Sequence, residues 1–164
     1  MRNAVIVAAI ALISLGIFVG LVFRDRSVPA DITNVKTDAN TTIHLRRDLA
    51  VSVEVADTDA ELIRGLSGSD PLPENTGMLF IFPEDGYPAI WMKDMRFAID
   101  IIWINSEGAI VSIAPGVTPD TYPQTFKPAQ TARYVLEVNA GYADARNLGV
   151  GEMTDIPQKF PPSH

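Results

Sequence analysis

The sequence predicts a mostly β (α+β) fold: a compact β-barrel or sandwich-like domain with two short helices, preceded by one N-terminal transmembrane helix. Three observations carry this expectation. The run Ala4–Phe23 is uncharged and has only Ser14 as a polar residue. Beyond Asn40, at least six short apolar segments alternate or run continuously between turn residues, which is the pattern of strands. Only two segments, starting near Thr58 and Tyr142, carry helical spacing instead.

Composition narrows the functional classes. The chain has 164 residues, 47% of them hydrophobic, enough for one packed domain plus an appendage. The formal charge is −7, and the 10 Lys+Arg and 19 Asp+Glu that follow Ala30 leave that part at −9. Such a surface repels phosphate backbones, so no nucleic-acid partner is expected. Cysteine is absent. Disulfides, thiolate metal sites, iron–sulfur clusters and thiol nucleophiles are thereby excluded. His44 and His164 are the only histidines, too few for a histidine-rich metal site and without the Gly-x-Ser-x-Gly turn of a serine hydrolase. There is no phosphate-binding loop or dinucleotide fingerprint. No metal and no cofactor are expected.

Taken in order, residues 1–26 read as a membrane anchor. Twenty apolar residues in a helix reach about 30 Å, the thickness of a bilayer core. A cleaved signal peptide is the alternative, although Arg24-Asp25-Arg26 separates the apolar run from the Val28-Pro29-Ala30 pattern. Arg2 flanks one end and Arg24 and Arg26 the other, so flanking charge does not decide orientation. A short leader before the span favours a domain outside the cytoplasm, with the cell membrane as partner through residues 4–23. Residues 27–40 are polar and aperiodic, hence a linker.

The domain spans residues 41–156. Leu49, Val51, Val53 and Val55 alternate with Ala50, Ser52, Glu54 and Ala56, a strand with one buried face. Thr58 precedes Glu61 by three residues, the spacing of a capping box, and Leu62, Ile63 and Leu66 give the helix an apolar stripe that Gly65 can end. Met78–Phe82 is a continuous apolar strand. Ile90–Asp94 and Phe97–Asn105 are two more, and the turn Ser106-Glu107-Gly108 makes Phe97–Ile113 a hairpin. The proline-rich stretch Pro115–Pro128 is expected to be a loop that rims a site. Arg133–Asn139 alternates again, Tyr142–Leu148 is a short helix stopped by Gly149, and Val150–Met153 opens a last strand. Residues 157–164 are expected to be a loose tail.

Several of these stretches, in order, resemble the domain-of-unknown-function 192 family. They are Arg64-Gly65-Leu66, Gly77-Met78-Leu79-Phe80 with Phe82, Trp91-Met92-Lys93 followed by Asp100-Ile101-Ile102, and Tyr134-Val135-Leu136-Glu137 with Ala140-Gly141. The resemblance covers roughly Thr41 to Ile156. It implies a small β-rich domain, often exported or membrane-tethered, and brings no settled activity or catalytic residue. Asp94-Met95 stands where such proteins often carry Asn-Thr or Asn-Met.

The residues that could form a site are Arg64, Trp91, Lys93, Asp100 and Glu137. Asp100 lies among Phe97, Ile99, Ile101 and Ile102, so both faces of its strand are apolar and burial is expected. A buried carboxylate needs hydrogen-bond donors or a change of protonation. It therefore either pins backbone or serves as an acid or ligand acceptor in a cleft. Glu137 shares a strand face with Arg133 and Asn139, and the resemblance favours its pairing with Arg64 or Lys93. Alternation puts Trp91, Lys93 and Met95 on one side of a strand, where Trp91 and Lys93 could hold a ligand or sit at the edge of the core. Three functions follow, in descending order: a ligand- or partner-binding module at the cell envelope, for an envelope ligand or protein partner; a carboxylate-dependent hydrolase or lyase using Asp100 and Glu137; and a purely structural domain of a membrane complex.

Overall fold

The computed structural model describes residues 41–156. The anchor, linker and tail expected at 1–26, 27–40 and 157–164 lie outside the described residues. Among the described residues no helix is long and apolar enough to cross a membrane.

The domain is mostly β with two short helices. The strands are β1 (Thr41–Arg46), β2 (Leu49–Ala56), β3 (Thr76–Gly86), β4 (Ile90–Trp91), β5 (Ile99–Ile104), β6 (Ile110–Val117), β7 (Thr125–Phe126) and β8 (Ala132–Asn139). The helices are α1 (Asp59–Arg64) and α2 (Tyr142–Ala145). Six strands form one sheet in the order β1-β2-β3-β8-β5-β6, and β4 pairs separately with β7.

The sheet is not closed into a barrel, which corrects the barrel expectation. Its edge strands, β1 and β6, do not pair with each other. Pro115 inside β6 has no N–H to offer a further strand. The C-terminal segment instead meets both edges, through bridges His44–Asp155 and Ala109–Met153.

Strands β5 and β8 each have a strand on either side and are buried on both faces, so their sequences read as nearly continuous apolar runs. Alternation sends Leu79, Ile81, Ile102, Ile104, Leu136 and Val138 into one apolar cluster. Met78, Phe80, Ile99, Ile101, Trp103 and Val135 enter a second cluster on the opposite face.

Strands β2 and β3 run parallel, so the chain between them must cross over the sheet rather than turn back. That crossover carries α1. Thr58 caps it as the spacing predicts: the Glu61 N–H donates to Thr58 Oγ1 (3.4 Å) and the Thr58 N–H to Glu61 Oε2 (3.1 Å). Leu62, Leu66 and Leu72 bring the crossover down onto the second cluster.

Three sequence expectations are shortened. The strand expected at Ile90–Asp94 ends at Trp91, because Asp94 adopts φ 55° and alternation fails there. Helix α2 stops at Ala145, with Asn147 at φ 50° just beyond. The Pro115–Pro128 loop is more ordered than expected: β6 extends to Val117, Pro119–Thr121 makes one 3-10 turn, and β7 follows. The Tyr122–Pro123 peptide bond in it is cis.

Candidate functional site

The site begins with the sheet register. In the row formed by Met78, Glu137 and Ile101, Glu137 on β8 is flanked by β3 on one side and β5 on the other. Its parity sends the side chain to the face covered by α1 rather than to solvent. The segment after α1 is held over this face by two contacts: Ser67 Oγ donates to the Lys93 carbonyl (2.8 Å), and the Gly68 N–H donates to the Asp94 carbonyl (2.8 Å). Gly65 sits at φ 47°, and a Cβ there would stand 3.1 Å from the Phe80 ring. The turn can therefore lie close to the sheet only with glycine at this position.

Trp91 forms the outer wall. The pairing of β4 with β7 fixes its backbone, with Trp91 opposite Thr125. The Tyr122 ring meets the indole edge-on, with centroids 6.3 Å apart. The proline-rich loop thus supports the rim through Tyr122 and β7. Trp91 is 46% exposed.

Between these walls lies a pocket of about 40 Å³, lined by Leu62, Arg64, Phe80, Trp91, Met95 and Glu137 among others. Three of the five candidate residues, Arg64, Trp91 and Glu137, converge here. Glu137 is 4% exposed, and its carboxyl makes no hydrogen bond or ion pair within the described domain. The expected pairing with Arg64 or Lys93 is not formed. Burial alone pushes the Glu137 carboxyl from its ordinary 4.5 up to about 8. At neutral pH it is mostly a neutral acid, able both to donate and to accept a hydrogen bond into the pocket.

Lys93 and Asp100 lie elsewhere. Lys93 is exposed and does not line the pocket; its carbonyl, not its ammonium, serves the site by holding Ser67. The φ of Asp94 explains the departure from strand alternation that would have placed Trp91 and Lys93 side by side.

Asp100 pairs in register with Val138, one row from Glu137, so its side chain leaves the opposite face of the sheet. It is fully buried. Its carboxylate accepts three backbone N–H bonds, from Gly116 (2.8 Å), Gly141 (3.1 Å) and Ala143 (2.8 Å). Asp100 therefore ties the irregular end of β6 to the first turn of α2. The two-carboxylate hydrolase or lyase is corrected by this geometry: the sheet separates the two groups, and one is already occupied by backbone donors. Among the described residues no group of three or more His, Asp or Glu is placed to hold a metal ion.

Sequence reasoning missed Tyr122, Leu62 and Phe80 as parts of the site. Leu62 and Phe80 looked like ordinary core positions, and Tyr122 was one residue of a loop. Asn139 was placed on the strand face of Glu137 but given no role. Its side-chain amide both accepts from the Leu72 N–H (3.2 Å) and donates to the Leu72 carbonyl (2.7 Å), anchoring the far end of the crossover.

Comparison with known proteins adds a family and a fold. The family model DUF192, described as "Uncharacterized ACR", matches residues 41–156. No curated protein matches the chain. A crystal structure from Sinorhizobium meliloti 1021, provisionally described as a transcription regulator, is similar at 27% identity and a TM-score of 0.62, over 65% of this chain and 81% of that one. A protein of unknown function from Novosphingobium aromaticivorans DSM 12444 is similar in fold, at 22% identity and a TM-score of 0.67, over 71% of this chain and 85% of that one.

Proposed function

The chain belongs to the DUF192 family of uncharacterised proteins, and on that footing we propose that its domain is a binding module whose site is the pocket above Glu137. The observation that carries this reading is the Glu137 carboxyl itself. Burying a polar group without a partner costs on the order of 1–3 kcal/mol, and a domain that satisfies Asp100 with three N–H groups leaves Glu137 with none. A group kept in that state beside an exposed indole and an exposed arginine is suited to a partner arriving from outside.

The domain acts as a binder rather than an enzyme: the pocket lining carries no second carboxyl and no histidine beside Glu137, and the Ser67 hydroxyl donates to the Lys93 carbonyl. The uncharged apolar run of residues 4–23 supports tethering to the cell membrane, with the domain outside the cytoplasm. Envelope ligands or an envelope protein are the matching partners. The excess of acidic residues after Ala30 argues against nucleic acid, whatever the role of the Sinorhizobium relative. A partner protein rather than a small ligand is favoured by one feature. Ile63 (72% exposed) and Trp91 line the pocket, and Tyr122 (45% exposed) packs on Trp91, so the mouth carries an apolar collar.

The test is to titrate the full chain in detergent micelles with muropeptides, oligosaccharides and short peptides. Trp91→Ala is expected to weaken binding about tenfold, the loss of one aromatic contact of roughly 1.4 kcal/mol, while the folded spectrum persists. Unchanged affinity in both Trp91→Ala and Glu137→Gln would place binding elsewhere. Membrane tethering is checked by extraction: the chain should leave membranes with detergent and not with alkaline carbonate.

A further inference from the structure

The pocket above Glu137 is shaped for more than an unspecified ligand. Resting on the binding reading above, we propose that its occupant is a primary ammonium carried on a short linear apolar chain, the side-chain chemistry of lysine.

The first argument is what the carboxyl lacks. Asp100 shows how this fold satisfies a buried carboxylate, with three N–H donors from its own backbone. Glu137 receives no donor from the described domain, and its neighbours in the sheet row, Met78 and Ile101, have none to give. An ammonium brings three donors and a compensating charge in a single small group. A neutral hydroxyl or amide brings at most two donors and no charge.

The second argument is shape. The pocket is small, about 40 Å³, which favours a slender group with a compact charged head over a bulky one. Leu62, Phe80 and Met95 provide apolar walls for methylene groups. Trp91 at the mouth offers an aromatic face to the same chain, or to the cation as it enters.

The third argument is charge placement. Arg64 is the only charged residue besides Glu137 that lines the pocket. The groups facing Glu137 from the other elements are Phe80 and Met78 of β3, Ile101 of β5, Ile90 and Trp91 of β4, and Ser67 and Met95 of the flanking segments, all without charge. Arg64 is exposed, so water screens its repulsion of an approaching cation. It is placed to meet a carbonyl or carboxylate at the other end of the occupant.

The step balances simply. As the ammonium enters, the Glu137 carboxylic acid releases one proton to solvent and the carboxylate forms an ion pair; no other bond changes. Binding at pH 7 therefore releases close to one proton, and binding above about pH 9 releases almost none, because Glu137 is by then already ionised.

The experiment uses the full chain in micelles and two probes, Nα-acetyl-lysine methylamide and Nα-acetyl-norleucine methylamide, which share the apolar chain and differ in the ammonium. Calorimetry in two buffers of different ionisation enthalpy reads affinity and proton release together. The lysine probe is expected to bind at least tenfold more tightly, with proton release at pH 7 that disappears above about pH 9. Glu137→Gln should remove the preference while the thermal unfolding transition remains. Equal binding of both probes, or a preference that survives in Glu137→Gln, overturns the ammonium assignment and leaves the binding module standing. Binding of neither probe at millimolar concentration overturns the ammonium assignment, and the binding module itself falls if the muropeptide, oligosaccharide and peptide titrations are also blank.

Discussion

Asp100 and Glu137 occupy adjacent rows of the same sheet, on neighbouring strands, and could hardly be used more differently. Asp100 points into the face shared with Val138 and is satisfied by three backbone N–H groups. Glu137 points to the other face, beneath α1, and has no donor from the described domain. Both were carboxylates in apolar strands, and both are nearly inaccessible. The difference is one residue of register, which decides whether a buried charge becomes part of the framework or part of a pocket. A buried acid is informative only once its hydrogen bonds have been counted.

That contrast can be broken from either side. The largest effect is expected at Asp100. Asp100→Ala strands one buried N–H group, that of Ala143, and two part-buried ones, those of Gly116 and Gly141. A buried donor is worth about 1–3 kcal/mol, and less where water reaches it, so the variant should lose about 3 kcal/mol or more, as read by urea denaturation. A loss below 1 kcal/mol would mean that water replaces the carboxylate and that its role as a tie is overstated.

Glu137 predicts a pH dependence of the opposite kind to an ordinary carboxylate. Its folded pKa, about 8, lies above the unfolded value of 4.5. Between those two values the folded chain holds a proton that the unfolded chain has released. Stability is therefore fully present below about pH 4.5, falls as pH rises, and levels off above about pH 8. The total from this group is up to about 5 kcal/mol. Glu137→Gln should flatten that slope, measured as unfolding free energy at intervals between pH 5 and pH 8. An equal slope in the variant would assign the pH dependence to other groups.

Gly77 sharpens the contrast from the backbone. It stands in the row of Val138 and Asp100, and a Cβ there would lie 2.7 Å from the Glu137 carbonyl oxygen and 3.0 Å from Leu136 Cδ1. Neither neighbour can move without disturbing β8. Gly77→Ala should cost about 2–3 kcal/mol by overpacking, with urea midpoints as the measure. Destabilisation should be accompanied by weakened binding, since β8 carries Glu137.

The smallest effect is expected at Asp94, whose φ of 55° lies in the left-handed region, where Asp costs less than most residues with a Cβ. Asp94→Gly should change stability by less than about 0.5 kcal/mol, because relief of the backbone angle is offset by the greater freedom of the unfolded chain. It should leave binding unchanged, because only its carbonyl holds the pocket segment. A larger loss of stability would point to a role for its side chain.

The strand and helix signals in the chain were local, and they were readable. The capping box at Thr58 and Glu61, the alternation of β2 and β8 and the β5–β6 hairpin all depend on residues within a few positions of each other. The parallel pairing of β2 with β3 and the placement of β8 between β3 and β5 are long-range, and nothing in the local pattern reports them. The site shows the same division. Alternation placed Glu137 and Val135 on one face of their strand, but the row that sets Glu137 beneath α1 depends on register between distant strands. Asp94 was the one local hint that the strand after Trp91 ends early, since Asp and Asn tolerate positive φ better than most residues. Lys93 was misplaced for want of that inference. Asp100 was rightly suspected of burial, yet its three donors come from β6 and from the start of α2, 16 to 43 residues away.

The measurement that bears most directly on this account is the titration of Glu137 itself, by carbon-13 NMR of the side-chain carboxyl with Glu137→Gln to identify the signal. A nearly buried acid with no partner in the described domain should titrate near pH 8 in the free protein. A midpoint near the ordinary 4.5 would contradict it, showing that solvent or a donor already satisfies the carboxyl and that the pocket holds nothing in reserve for a ligand.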